Sequence, residues 1–132
     1  MLSHVHIGIR DFDPAVRFYS AVLAELGWRL RFVEPERPWA GWQPPDRERP
    51  LVLVGAPFNG AEAEPGNGQM VALEAPTRAA VDRCYAAALA SGGVDDGAPG
   101  LRPEYHPNYY GAYVRDRDGN KLCICCHAPE RD

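Results

Sequence analysis

Apolar and polar residues alternate through "HVHIGI". Val5, Ile7 and Ile9 fall on one face, and His4, His6 and Gly8 on the other. A period of two predicts a strand. The next stretch, "RDFDPAVRFYSAVLAELGW", changes to a helical period, with Val16, Tyr19, Leu23 and Leu26 in one apolar stripe. Its punctuation predicts Asp13 as N-cap, Pro14 at the first helical position and Gly27 as the stop. A second strand is expected over Trp28–Glu34. "PERPWAGWQPPDRERP" reads as a proline-rich loop holding a short strand around Trp42, and "LVLVGA" as an apolar strand. "PFNGAEAEPGNG" consists of turn-forming residues and marks a linker.

The pattern then restarts. "QMVALEA" predicts a strand. "PTRAAVDRCYAAALASGG" predicts an Ala-rich helix capped by Thr77 and ended by Gly92–Gly93. "VDDGAPGLRPEYHPNYY" reads as a loop before the strand "GAYVRD", "DRDG" as a tight turn, and "NKLCICCH" as the last strand. A constant shift of 66 residues places Val71 on Val5, Arg83 on Arg17, Tyr85 on Tyr19, Leu89 on Leu23 and Gly93 on Gly27. One ungapped shift aligning strand, helix and helix stop implies a tandem duplication of a βαβββ unit. The expected fold is α+β: two such modules forming a cupped, incompletely closed eight-stranded sheet with helices outside. Residues 1–132 make one domain, with module one over 1–55, a linker over 56–68 and module two over 69–127. His4 and His6 then point into the cleft.

Composition narrows the partners. The chain of 132 residues has a formal net charge of −4, mixed signs and a single lysine, Lys121, so nucleic acid and anionic membranes are not expected partners. No apolar run approaches the ~20 residues of a membrane helix, and the N-terminus lacks the basic and apolar regions of a signal peptide. A cytoplasmic protein is expected. Three of the four cysteines crowd into "LCICC", which argues for free thiols rather than a disulfide framework.

The modules, the opening "SHVHIGIRDFDPAVRFY" and the closing "RDRDGNKLCICCH" resemble the vicinal oxygen chelate superfamily, the glyoxalase, bleomycin resistance protein and extradiol dioxygenase group. "FY" on the first helix and D-x-D-G-N-K before the last strand are the most specific pieces; Arg117 stands where the usual turn has proline. The resemblance implies a divalent metal held by first-strand histidines of both modules, a last-strand carboxylate and a residue of module one's last strand. Carried over, these positions hold His4, Met70 and Cys123, while "LVLVG" offers no Asp, Glu or His. Met70 is a poor ligand, and thiolates at Cys123 and Cys125 would suit Zn²⁺ better than Mg²⁺ or Mn²⁺.

The bland readings stand beside the sharp ones. His4 is a metal ligand or a polar pocket residue. His6 is a substrate contact or a general acid/base. Cys123 is a catalytic thiol beside a histidine such as His4, or packing. Cys126 and Cys84 are core. His106, Tyr109, Tyr110 and Tyr113 offer donors and aromatic faces to a ligand, or plug the mouth of the sheet. Trp39 and Trp42 cover the pocket or a dimer partner, and relatives of this length often form homodimers. The preferred function is small-molecule binding in the sheet cleft with a degenerate metal site. The alternatives are a divalent-metal-dependent lyase or dioxygenase, lactoylglutathione-lyase-like and using His4, and a metal-independent enzyme using His6, a tyrosine or Cys123.

Overall fold

The computed structural model describes residues 1–130. Eight strands and two helices follow one another as two βαβββ units. Module one comprises β1 (His4–Gly8), α1 (Phe12–Ala24), β2 (Arg29–Glu34), β3 (Trp39–Gln43) and β4 (Leu51–Gly55). Module two comprises β5 (Val71–Glu74), α2 (Arg78–Ala90), β6 (Val94–Leu101), β7 (Tyr110–Arg115) and β8 (Lys121–Cys126). Each module folds its strands into one four-stranded mixed sheet, in the orders β1-β4-β3-β2 and β5-β8-β7-β6. The first strand of each lies parallel to the last, and the other pairs are antiparallel. The eight strands therefore form two four-stranded sheets that are not closed into a barrel.

Alternation decides what each sheet buries. On β1, Ile7 is buried under the helices together with Ile9, and Val5 packs against them, while His4 and His6 stand on the opposite face. On β8, Leu122, Ile124 and Cys126 join the helix-side core, which sends Lys121, Cys123 and Cys125 to the other face. The buried stripe of α1 is Ala15, Phe18, Tyr19, Val22 and Leu23. It is wider than the stripe expected from Val16, Tyr19, Leu23 and Leu26, because α1 packs on α2 as well as on its own sheet. Burying each large side chain of this stripe is worth about 1.5–3 kcal/mol.

The helix ends differ from the sequence reading in two ways. The N-cap position of α1 is Asp11, whose side chain makes no capping bond, and Asp13 and Pro14 lie inside the first turn. Proline is tolerated there because the first turn's N–H groups have no intrahelical acceptor. On α2, Thr77 does cap, its hydroxyl accepting from the Ala80 N–H at 3.0 Å. The stops are also offset. Gly27 (φ 78°) takes the left-handed position after α1, where Trp28 N–H bonds Leu23 O; after α2 that residue is Gly92 (φ 95°), and Gly93 N–H bonds Ala88 O. The helices themselves end 66 residues apart, at Ala24 and Ala90, but the left-handed glycine and its closing bond come one residue earlier after α2. Gly93 serves instead as a point of close approach, since a Cβ there would meet the Phe18 ring at 2.8 Å.

The two stretches that carry the family resemblance touch each other. Tyr19 of "FY" donates its hydroxyl proton to Asp116 Oδ2 at 2.6 Å. Asp116 Oδ1 accepts the backbone N–H groups of Asp118 and Asn120, both at 2.9 Å, shaping the turn that Gly119 (φ 91°) completes. Asn120 then donates to Gly8 O at 2.9 Å. One buried carboxylate therefore clips the last hairpin of module two onto β1 and α1 of module one. Burial first, then the Asp116 charge, push the Tyr19 hydroxyl well above its ordinary range and keep it a donor.

The segment expected to be a loop after α2 contains β6. Two register shifts, between Asp95 and Gly97 and between Gly97 and Gly100, interrupt its pairing with β7. No helix among the described residues is long and apolar enough to cross a membrane.

Candidate functional site

The faces turned away from the helices differ sharply between the modules. In module one the registers place Leu51 opposite His4 and Leu53 opposite His6. Phe32 lies directly over Gly41, where no side chain fits, and packs tilted against Trp39 with ring centroids 4.9 Å apart. The Arg37 guanidinium lies over the Trp39 indole at 4.0 Å. Beyond the β1 histidines, leucine and aromatic side chains fill this wall.

Module two presents polar chemistry on the same face. Tyr113 pairs with Cys123, and Gly111 with Cys125. The loop before β7 folds back on itself, with Arg102 N–H on Tyr109 O at 2.8 Å and Tyr105 N–H on Arg102 O at 3.0 Å. That fold brings Tyr109 over the sheet, its hydroxyl 3.1 Å from that of Tyr113 and 3.4 Å from Cys123 Sγ. Gly111 allows this approach, because a Cβ there would meet the Tyr109 ring at 2.8 Å.

A second row of contacts runs beside it. Asn108 N–H donates to His106 Nδ1 at 3.1 Å. Neutral His106 therefore carries its proton on Nε2, which lies 2.9 Å from His127 Nδ1. His127 then carries its proton on Nε2, 3.7 Å from Cys125 Sγ. The donors converge on the thiol pair. The Cys123 thiol is held below the ordinary thiol range, chiefly by hydrogen bonding from Cys125 and, despite its burial, by the two tyrosine hydroxyls. Sharing with Cys123 and burial push the Cys125 thiol up, and burial with the bond to Cys123 pushes Tyr109 up. Cys123 is 0% exposed, so it supports the floor rather than lining the opening.

The opening is a cavity of about 840 Å³, walled by Tyr105, Tyr109, Tyr113 and His106 and rimmed by Met70, Asp96, Gly97, Arg102 and Lys121. A volume of this size suits a small organic ligand. Beside it lies a smaller recess of about 120 Å³ that includes His6, Gly66, Gln69 and Asn120 and shares Met70 and Lys121 with the larger one. Burial, and then the nearby His4, lower the pKa of His6 below its usual 6.5.

The residues singled out from the sequence are thus divided. His106, Tyr109 and Tyr113 meet in the large cavity and His6 in the adjoining recess, whereas His4 lines neither and is held by Ser3 Oγ at 2.9 Å. Two expected ligand contacts lie elsewhere. Trp42 is 1% exposed in the helix-side core, its ring 6.2 Å from Tyr19, so it covers neither pocket nor partner. Its parity on β3 points it inward, with Ala40. Tyr110 also packs on the core side and donates its hydroxyl proton to Asp82 of α2 at 2.7 Å. The histidine beside the thiols is His127, not His4. Continuing the alternation Lys121, Cys123, Cys125 by one step would have found it. Arg102 escaped notice because β6 and the turn after it read as one loop.

A metal at the family's positions does not fit these side chains. Met70 is 44% exposed at the rim, Cys123 is buried beneath Tyr109, and leucines stand opposite His4 and His6. Among the described residues, no three His, Cys, Asp or Glu side chains are grouped to share an ion.

Known proteins agree with this architecture. The family model described as Glyoxalase/Bleomycin resistance protein/Dioxygenase superfamily matches residues 1–124. A glyoxalase/bleomycin resistance protein from Albidiferax ferrireducens is 32% identical, with TM-score 0.84 over 97% of this chain and 99% of that one. A glyoxalase-related enzyme from Fulvimarina pelagi shares the fold at 21% identity, with TM-score 0.73 over 96% of this chain and 87% of that one. A glyoxalase/bleomycin resistance protein/dioxygenase family enzyme from Burkholderia phytofirmans does so at 20% identity, with TM-score 0.68 over 96% and 98%. No curated protein matches the chain.

Proposed function

This chain belongs to the Glyoxalase/Bleomycin resistance protein/Dioxygenase superfamily, and from that premise we propose that it binds a small organic molecule in the cup of module two through protein groups alone. The observation that carries the reading is the contrast between the two sets of positions. The metal-ligand positions hold an exposed thioether and a thiol sealed under a tyrosine, while three tyrosines and His106 line an open cavity of about 840 Å³. Aromatic walls with a few placed polar groups are the usual make-up of a ligand pocket, and membership of the family does not by itself choose a chemistry.

The cup also supplies a proton-sharing network. The Tyr109–Tyr113 hydroxyl pair is anchored on Cys123, and His106 is oriented by Asn108 and His127. These groups already hold one another in place, which lowers the cost of ordering them on binding. The test is a fragment screen by ligand-observed NMR on protein freed of metal by chelator, repeated with Tyr109→Ala. Hits that bind the chelated protein and vanish in the variant support the reading. Binding that requires added divalent metal and survives loss of Tyr109 favours the metal-dependent lyase or dioxygenase instead.

A further inference from the structure

We infer that the ligand of this cup is an aromatic anion, its acid group held by Arg102 and its ring laid against Tyr105, Tyr109 and Tyr113. The inference rests on the binding reading above and names the class of molecule bound.

Charge is the first ground. The protein carries −4 overall, yet its cup presents two cations, Arg102 and Lys121, against one carboxylate, Asp96. That carboxylate is already shared: Arg115 Nε lies 3.1 Å from Asp96 Oδ2 and Lys121 Nζ 3.4 Å from the same oxygen. Arg102 has no carboxylate partner among the described residues. Its guanidinium touches only backbone carbonyls, Ala98 O at 2.8 Å and Leu101 O at 3.5 Å. Those two bonds leave further N–H donors of the fork unused.

The second ground is how Arg102 is held. The bulged backbone of β6 puts glycine where a side chain would crowd the Tyr113 ring and where one would crowd the guanidinium. A Cβ on Gly97 (φ 151°) would meet the Tyr113 ring at 2.9 Å, and one on Gly100 would meet Arg102 Nη1 at 2.9 Å. With both glycines in place the guanidinium lies 5.7 Å from the Tyr113 ring centroid, and Lys121 Nζ lies 5.3 Å from the same ring. A cation held beside clustered tyrosines, Tyr105 and Tyr109 tilted with ring centroids 4.9 Å apart, matches a planar molecule with an acid at its edge: the guanidinium takes the acid as a fork, and the ring faces take the plane. The Cys123 sulfur makes no direct contact with such a ligand, because it is buried beneath the Tyr109 hydroxyl.

The test is calorimetric titration with naphthoate, its neutral isostere naphthamide and the cationic naphthylmethylammonium. Wild type, Arg102→Gln, Lys121→Gln and the distal control Arg47→Gln are compared, and thermal melting shows that each variant folds. Naphthoate should bind about tenfold or more tighter than naphthamide, as expected for a charged hydrogen bond. Arg102→Gln should erase that preference by lowering naphthoate to about the affinity of naphthamide. Equal binding of acid and amide, or a preference for the cation, overturns the inference while leaving the binding reading intact. A preference that survives Arg102→Gln and disappears in Lys121→Gln also overturns it, by moving the acid to the lysine. Failure of all three probes to bind wild type overturns the inference, and the fragment screen alone then decides the binding reading.

Discussion

Replacing Asp116 by alanine removes the carboxylate that joins the modules. The residue is 3% exposed and accepts four hydrogen bonds, from the Tyr19 hydroxyl, the Asn120 side chain and the backbone N–H groups of Asp118 and Asn120. The turn N–H groups are partly exposed and find water. The Tyr19 hydroxyl is buried and finds nothing, and the Asn120 amide loses one of its two partners. A buried donor left unpaired costs about 1–3 kcal/mol, and two such losses with the turn bonds come to about 3–5 kcal/mol. A domain of this size is stable by roughly 5–15 kcal/mol, so the variant should fold with a strongly lowered urea midpoint and an unchanged slope. Its melting temperature should fall by roughly 10 °C or more. Tyr19→Phe should cost about 1 kcal/mol. The double variant should lose no more than Asp116→Ala alone, giving a coupling of about 1 kcal/mol between the two side chains. If Asp116→Ala lost less than about 1 kcal/mol, or if the two effects simply added, the carboxylate would not be the clip described here.

Two further outcomes test the electrostatics of the site. Tyr109→Phe removes a donor from Cys123 and should move that thiol up toward the ordinary range, read as a shift of the thiolate absorbance titration that Cys123→Ser abolishes. Because the folded-state pKa of Cys123 is depressed, its contribution to stability is present above the unfolded thiol pKa and is lost as pH falls through the folded value. The stability lost in Tyr109→Phe should therefore be larger at mildly alkaline than at acid pH, and equal losses at both would contradict the assignment. His6 should titrate below 6.5 by NMR, and His4→Ala should raise its midpoint by removing the neighbouring positive charge; an unmoved midpoint would place the whole shift on burial.

Much of the fold was legible because it depends on local periods and caps. The alternation of β1 and β8, the helical stretches and the repeat all follow from spacing alone, and Thr77 caps as its residue type suggests. Strand β6 was hidden because Asp95, Asp96, Gly97, Pro99 and Gly100 are poor strand formers, and two bulges erase the period of two. The site was only partly legible for a related reason. Tyr109 and Tyr113 stood out as chemistry, but whether Trp42 or Tyr110 faces the cup depends on pairing register, which a short irregular strand does not reveal. The offset between Gly27 and Gly92 shows the same limit at single-residue scale. The clip between Tyr19 and Asp116 joins residues 97 positions apart in sequence, and no local pattern announces it.

The central claim is that the cup binds through tyrosines and Arg102 rather than through a chelated metal at His4. Elemental mass spectrometry tests it most directly, on untagged protein purified without chelator and then offered Zn²⁺, Mn²⁺, Ni²⁺ or Fe²⁺, in wild type and His4→Ala. The account predicts metal far below one ion per chain in both. Metal near one ion per chain in wild type, lost in His4→Ala, would contradict it.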